Sequence, residues 1–144
     1  MTEQAESFKV KVISPKGVQL EKEVIFVKIP GENGEIGVLK NHTGLLSSLK
    51  QGKIRIKNPD ETVEKFFIPE GFGHVERDGV VILAPYLEKA EEIDLERAIK
   101  AKERAQKRLL ENVDNHNFDS QRARKSLLKA DSRIDIYYQI NPKK

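Results

Sequence analysis

Three arginines in the C-terminal part of the chain could together hold an anion, and an aspartate precedes the first of them. Asp94 and Arg97 lie in the stretch EEIDLERA, residues 91–98, Arg104 follows seven residues after Arg97, and Arg122 lies further along. Seven residues make about two helical turns, so Arg97 and Arg104 would share one helix face. Guanidinium groups make bidentate, charge-assisted hydrogen bonds to phosphate or carboxylate. Three converging arginines would repel one another unless an anion lay between them.

The same residues also have a simpler interpretation as an ordinary helix start. An aspartate directly before the first helical residue accepts hydrogen bonds from free backbone N–H groups, which stabilises a helix by about 1 kcal/mol. Glu96 would suit the positive end of the helix dipole. Spacing alone therefore favours a capped helix with solvated cations, and it leaves the anion site open.

The other motifs that could bind a ligand or take part in catalysis are weak signals. The stretch PGENGEIG, residues 30–37, has the glycines of a phosphate loop but lacks the Gly-Lys-Ser/Thr ending, so it indicates a turn between strands. His42, His74 and His116 lack the spacing of metal ligands, and the chain has no cysteine. No nucleophile–histidine–acid set or carboxylate pair stands out. We therefore expect neither catalytic residues nor a metal site.

The first part of the chain has the period of β-strands. Apolar residues alternate with polar ones in FKVKVIS, residues 8–14, and in GKIRIK, residues 52–57, and turn signals with glycine and proline separate such runs. This pattern predicts an antiparallel β-sandwich over residues 1–87. The stretch HTGLLSSL, residues 42–49, could form either a short helix or an irregular connection, and its sequence does not decide between them.

The second part has the period of amphipathic helices. The first apolar stripe comprises Leu95, Ala98, Ile99, Ala105, Leu109 and Val113. The second stripe comprises Ala123, Leu127, Ala130, Ile134 and Tyr137. The loop NVDNHNFD separates them, which predicts an antiparallel α-helical hairpin over residues 88–144. Because alanine buries little apolar area, we expect this hairpin to be weakly held and movable by a ligand or partner.

The net charge and the hydropathy of the chain limit the kinds of partner that it can bind directly. The net charge is +3, and all of it comes from residues 88–144, where fourteen Lys and Arg face eleven Asp and Glu. So small a surplus argues against a dedicated nucleic-acid binder. The longest apolar run, VVILA, has about five residues, far short of the about 20 needed to span a membrane. The polar start, MTEQAESFKVKV, is unlike a signal or transit peptide, so we expect membrane association only through a partner.

Three long segments resemble the epsilon subunits of bacterial-type F-type ATP synthases. They are VISPKGVQLEKEVIFVKIPGENGEIGVLKNHTGLL, EGFGHVERDGVVILA and EEIDLERAIKAKERAQKRL, and their order agrees over essentially the whole chain. The resemblance implies a non-catalytic rotor subunit of the central stalk, peripheral on the cytoplasmic face of the cell membrane and active in proton-driven ATP synthesis. Residues 1–87 would bind the gamma subunit and the c-ring. Residues 88–144 would extend into the alpha/beta catalytic head and inhibit ATP hydrolysis.

In some bacterial members of that family, ATP binds the folded hairpin through the motif Ile/Leu-Asp-x-x-Arg-Ala, which is intact here. The resemblance thus implies no required cofactor but a regulatory ATP site, formed by Glu88, Ile93, Asp94, Arg97, Ala98, Arg104, Arg122 and Lys129. Lys129 stands where arginine is usual, which keeps the charge but loses bidentate phosphate contact. The resemblance also places Glu35 and His42 at the rotor interface. The alternative is a free-standing nucleic-acid adaptor that uses the basic second helix.

Overall fold

The computed structural model describes residues 6–141 as ten strands, a short 3-10 helix and two α-helices. The strands are β1 (Phe8–Ser14), β2 (Gly17–Val24), β3 (Phe26–Gly31), β4 (Gly34–Val38), β5 (Leu45–Leu49), β6 (Gly52–Lys57), β7 (Val63–Ile68), β8 (Gly71–Glu76), β9 (Gly79–Leu83) and β10 (Glu88–Lys89). The 3-10 helix spans Ala90–Glu92, and the α-helices are α1 (Leu95–Glu111) and α2 (Ser120–Ile140). The chain divides into two compact units between Lys89 and Ala90.

The ten strands form one continuous sheet that folds over its own core. The strand order is β10-β7-β6-β3-β5-β8-β9-β1-β2, with β4 paired to β3. The prediction of an N-terminal β-sandwich is confirmed. The pairing is antiparallel throughout except between β1 and β9, which run parallel. At the β3–β4 turn, Gly34 adopts a φ of 135°, a conformation that side chains other than glycine rarely allow.

The core of the sandwich follows from the period of two in its strands. Phe8, Val10 and Val12 of β1 are at most 3% exposed, as the alternation in FKVKVIS predicts. Ile54 and Ile56 of β6 are likewise fully buried in the core. Each such side chain contributes about 1.5–3 kcal/mol on burial, so these inward residues hold the sheet closed.

Strands β2, β4, β5 and β10 were not predicted from the sequence. Strand β4 begins inside PGENGEIG, which was interpreted as a turn, and β10 lies beyond the predicted end of the sandwich. Strand β2 carries only three apolar residues, of which Val24 alone is buried, so its existence depends on pairing with β1. The undecided stretch at residues 42–49 contains strand β5, which pairs with β8. Pairing with a partner strand, rather than local preference, therefore determines both β2 and β5.

A partly buried cluster of polar side chains links two strands that are far apart in the sheet order. The ammonium group of Lys22 in β2 donates to Glu64 in β7, and the Asn58 amide donates to the same carboxylate oxygen at 2.8 Å. The hydrogen bond from Lys22, assisted by that from Asn58, holds the pKa of Glu64 below its ordinary value of 4.5. The ionised carboxylate therefore stabilises the folded sandwich.

Replacing Glu64 by glutamine should lower the free energy of unfolding by about 1 kcal/mol near neutral pH, because a charge-assisted contact is lost. Since the native pKa is lowered, this contribution is complete above pH 4.5 and is lost as the pH falls through the native pKa of Glu64. Urea unfolding at neutral and acid pH measures both effects. Glu21→Gln, which removes an exposed partner of Lys9, is the matched control. An equal difference between wild type and Glu64→Gln at both pH values would contradict the role of this carboxylate.

Helices α1 and α2 form an antiparallel hairpin with a seam of alanines. Ala98 and Ala105 of α1 are buried, as are Ala123 and Ala130 of α2. Lys102 of α1 pairs with Asp131 of α2 at 2.9 Å, which ties the helices together beside the seam. The predicted hairpin is confirmed, and none of the described helices is long and apolar enough to cross a membrane.

The predicted stripes need three corrections. Ile99 is 37% exposed, because α1 turns this residue away from the alanine seam. Val113 lies in the loop beyond the end of α1 and is 74% exposed. Ile136, which was not predicted, is buried, whereas Ile134 and Tyr137 are only half-buried.

The domain assignment, residues 1–87 for rotor binding and 88–144 for regulation, stays a prediction. Strand β10 pairs with β7, so it extends the sheet two residues beyond the predicted boundary. The outermost parts of the two predicted domains, residues 1–5 and 142–144, lie outside the described residues.

Candidate functional site

The motif Ile-Asp-x-x-Arg-Ala has one side chain that is free to bind a ligand. Asp94 is the N-cap of α1, where its Oδ1 accepts a hydrogen bond from the Arg97 backbone N at 3.1 Å. Ile93 and Ala98 are about 5% exposed and anchor the start of the helix. The guanidinium of Arg97 is exposed and forms no ion pair within residues 6–141. Ile93, Asp94 and Ala98 therefore stabilise the start of α1. Arg97 presents a positive charge to solvent.

An open groove of about 770 Å³ runs along the exposed side of α1. All its lining residues belong to α1 or to its N-cap, so the groove is an open surface of one helix and not an enclosed cleft. Arg97 and Arg104 both line the groove, about 10 Å apart along the helix axis. The other lining residues are Asp94, Glu96, Lys100, Glu103 and Lys107. Within the described chain Arg104, like Arg97, has no ion-pair partner, whereas Lys100 pairs with Glu96 at 3.3 Å.

The predicted residues of the second helix do not line this groove. Arg122 lies in the first turn of α2, where Asp119 Oδ1 accepts from its backbone N at 3.0 Å. Its side chain lines a smaller groove at the loop end of the hairpin. Lys129 is half-buried further along α2, and Glu88 belongs to β10 of the sandwich unit. The structure thus brings together Asp94, Arg97 and Arg104, but not the complete predicted set.

Arg108 is a residue that the sequence analysis missed. It lines one groove with Arg104 and another with Arg122, and Ser126 lies in both. The side chain is exposed and has no ion-pair partner in the described part of the chain. Its position four residues after Arg104 was the available signal. Arg97, Arg104, Arg108 and Arg122 therefore follow one another along adjoining grooves of the hairpin.

The two residues predicted at the rotor interface lie toward opposite ends of β5. Glu35 follows the β3–β4 turn, where Glu32 N donates to Ser48 O near the end of β5. His42 lies in the loop before β5, and its Nδ1–H donates to the Thr43 carbonyl at 2.6 Å. A five-residue strand spans about 16 Å, so Glu35 and His42 do not form one cluster.

An apolar surface lies on the outer side of β5, β8 and β9. Leu46 is 74% exposed, Phe72 55% and Leu83 49%. Phe72 pairs in register with Leu83, and Leu46 is opposite His74, two residues from Phe72. These three side chains, which we call the apolar face, are close enough to form one patch. Exposed apolar patches of this kind mark interaction surfaces.

Comparison with protein families identifies both units. Residues 7–90 match the family described as ATP synthase, Delta/Epsilon chain, beta-sandwich domain. Residues 91–137 match the family described as ATP synthase, Delta/Epsilon chain, long alpha-helix domain. The chain belongs to the ATP synthase delta/epsilon family.

Members of the delta/epsilon family from bacteria are similar over nearly their full length. The ATP synthase epsilon chain of Desulfitobacterium hafniense (strain Y51) is 44% identical over 131 residues, which cover 91% of this chain and 96% of that one. The ATP synthase epsilon chain of Halalkalibacterium halodurans is 39% identical over 127 residues, which cover 88% of this chain and 94% of that one.

Two chains in solved ATP synthase structures share the fold of this chain at low identity. A chain in the Euglena gracilis mitochondrial ATP synthase, solved as OSCP/F1/c-ring in rotational state 1, has a TM-score of 0.70 at 20% identity. The match covers 97% of this chain and 82% of that chain. A chain of the Tetrahymena thermophila mitochondrial ATP synthase, in a structure of its central stalk and c-ring, has a TM-score of 0.60 at 11% identity. It covers 96% of this chain and 98% of that chain, so the two-part architecture is common to all three.

Proposed function

We propose that this protein is a non-catalytic epsilon subunit in the central stalk of an F-type ATP synthase. The observation that carries the proposal is the match of both delta/epsilon domains, in order, over residues 7–137. The sandwich would join the gamma subunit to the c-ring, and the hairpin would restrain ATP hydrolysis by the alpha/beta head. The subunit would lie at the cytoplasmic face of the membrane through the complex alone.

The apolar face supports a stalk contact on the sandwich. Leu46, Phe72 and Leu83 remain exposed although the sandwich has a complete core beneath them. Their burial against a partner would stabilise a complex, since each large apolar side chain contributes about 1.5–3 kcal/mol when it leaves water. We therefore assign the gamma subunit to this face, while Glu35 and His42 stay proposed contacts of the rotor.

The alanine seam supports a movable hairpin. The four buried alanine methyl groups contribute only about 3 kcal/mol, at about 0.8 kcal/mol for each carbon, and the buried Ile93 and Ile136 add about 1.5–3 kcal/mol each. Ordering a helical residue costs about 1–2 kcal/mol of backbone entropy, which hydrogen bonds within the helix and packing between the helices must offset. Because the packing between α1 and α2 contributes so little, their association is weak. A ligand or partner that prefers one arrangement of α1 and α2 could then shift their equilibrium.

We further propose that ATP binds at the arginines of the hairpin and acts as the regulatory ligand. Arg97 and Arg104 present two guanidinium groups without ion-pair partners in the described chain, in one open groove. Phosphate oxygens would reduce the repulsion between these groups, and each charge-assisted hydrogen bond contributes about 1.5–3 kcal/mol. Asp94, Ile93 and Ala98 would hold α1 in position, and Glu88, Arg122 and Lys129 stay proposed members of the site.

Replacing Arg97 or Arg104 by alanine should weaken ATP binding by about 10- to 100-fold, because 1.4 kcal/mol corresponds to a factor of ten. Isothermal titration calorimetry of the full-length chain with ATP measures this loss. Arg124→Ala is the matched control, since it removes the same charge from an exposed arginine outside the groove. Equal affinities of the wild type, Arg97→Ala and Arg104→Ala for ATP would reject the site.

The alternative function, a nucleic-acid adaptor, makes a different prediction. A basic second helix that binds phosphate backbones would retain the chain on DNA at low salt and release it steeply as salt rises. Co-purification of a gamma subunit, without retention on DNA, supports the stalk assignment. Salt-sensitive retention on DNA with no gamma subunit would support the adaptor.

A further inference from the structure

The turn between β3 and β4 presents an asparagine that is followed by a glycine. Strand β3 ends at Gly31 and β4 begins at Gly34, so Glu32 and Asn33 alone connect the two strands. Two-residue connections of this kind are typical of β-hairpins. Asn33 is exposed, and its side chain forms no hydrogen bond among residues 6–141. The amide group of Asn33 can therefore rotate toward the backbone that follows it.

Gly34 places an unhindered backbone nitrogen next to this amide. It has no side chain, its φ is 135°, and a Cβ added there would meet no atom within 4 Å beyond its chain neighbours. Glycine also reaches backbone conformations that other residues rarely adopt. Because reactions between groups held side by side are far faster than those between separate molecules, the Gly34 nitrogen is a suitable nucleophile for the Asn33 amide.

We propose that Asn33 is a site of spontaneous deamidation. Gly34 N forms a bond to Asn33 Cγ as the Cγ–Nδ2 bond breaks, and the proton of Gly34 N leaves with Nδ2 as ammonia. Water then opens the resulting cyclic succinimide at one of its two carbonyl carbons. The products are aspartate and isoaspartate, and in isoaspartate the backbone continues through Cγ. Water is the co-reactant, and neither an enzyme nor a cofactor is needed.

The other six asparagines of the chain are less suited to this reaction. Proline follows Asn58 and Asn141, and proline has no N–H proton to lose when the ring closes. In the loop of the helical hairpin, Asn112 Nδ2 donates to a backbone carbonyl at 2.8 Å, and Asn115 Oδ1 accepts from the Asn117 N at 3.0 Å. The four asparagines that precede neither glycine nor proline are followed by bulky residues, namely His42, Val113, His116 and Phe118.

Deamidation would change the charge and the length of the β3–β4 turn. Either product adds a carboxylate two residues before Glu35, which pairs with Lys28 at 2.6 Å. Isoaspartate also adds a backbone carbon to the two-residue connection, which disturbs the pairing of Gly31 with Gly34. The surface around Glu35 is therefore altered by the reaction. The reaction depends only on residues of this chain and not on the proposed function.

The test incubates the folded full-length chain at mildly alkaline pH, which favours loss of the backbone amide proton, and follows each asparagine by peptide mapping with mass spectrometry. Asn33 should lose ammonia at least tenfold faster than each of the other six asparagines. Methyl transfer from S-adenosylmethionine by an isoaspartate methyltransferase should label the same peptide. Asn33→Ser should abolish most of the ammonia release. The matched control, Asn117→Ser, removes an exposed asparagine from the hairpin loop and should leave the release within twofold of wild type.

The same incubation in urea distinguishes a reactive turn from a sequence that reacts only when it is unfolded. Reaction at Asn33 in the folded chain within tenfold of its rate in urea would support the proposal. A folded rate more than tenfold below the rate in urea would overturn it, because the turn would then protect the amide. Faster loss of ammonia at any other asparagine of the folded chain would also overturn it. Thermal unfolding of Asn33→Ser at the wild-type temperature shows that the two chains are compared in the same folded state.

Discussion

Deletion of residues 90–144 is expected to raise ATP hydrolysis by the assembled ATP synthase several-fold. The deleted segment contains α1 and α2, whose seam of small side chains suits an element that moves between two arrangements. The sandwich core is formed by residues up to Leu87, so the remaining chain keeps the contacts that fold it and that would join it to the stalk. Steady-state ATP hydrolysis by complexes assembled with full-length or truncated chain measures the difference.

The control for the deletion is a full-length chain with Arg97→Ala. If ATP holds the hairpin away from the catalytic head, high ATP should relieve inhibition in the wild type but less so in this variant, because a ligand shifts an equilibrium only by its differential affinity. Equal incorporation of each form must be verified by gel densitometry. Unchanged hydrolysis after the deletion, with the truncated chain fully incorporated, would reject an inhibitory hairpin.

Local patterns predicted the parts of the fold that depend on few residues. The alternation in FKVKVIS placed Phe8, Val10 and Val12 in the core, since successive strand residues point to opposite faces. Asp94 was expected to cap α1, and its carboxylate does accept from the Arg97 backbone N. Both features need only the period or the chemistry of adjacent residues.

Features that depend on distant residues could not be predicted. The stretch of residues 42–49, which the sequence leaves undecided, forms strand β5 because β8 pairs with it. Lys28, Arg55 and Lys65 lie side by side only because three strands bring them into register. No period within a single strand contains that information, since register is set by pairing across the whole sheet.

Local spacing predicts which residues of α1 share a face but not where the residues of α2 lie. Arg97 and Arg104 line one groove because seven residues make about two turns of one helix. Arg122 lines another groove because its position depends on the loop of residues 112–119 and on the rotation of α2 against α1. Only the resemblance to a family joins these residues into one site, and that site stays a prediction.

Phe72→Asp combined with Leu46→Asp should abolish capture of the gamma subunit by the sandwich. Both side chains are more than half exposed, so the substitutions leave the core intact, but in a complex they would bury unpaired carboxylates. A loss of about 3 kcal/mol, ordinary for the central residues of an interface, weakens binding more than 100-fold. Co-purification of a gamma subunit with tagged chain, followed by titration of the purified pair, measures the loss.

The matched control for this double variant is Val18→Asp, which places a carboxylate at a half-exposed apolar residue of β2 in the same unit. Val18 is not part of the apolar face, so this variant should bind the gamma subunit within about threefold of wild type, as expected for a residue outside the contact. Melting temperatures near that of the wild type would show that both proteins fold. If Phe72→Asp/Leu46→Asp binds as Val18→Asp does, the gamma subunit contacts another part of the sandwich, and the surfaces at Glu35 and at His42, the other proposed contacts of the rotor, are the next to test.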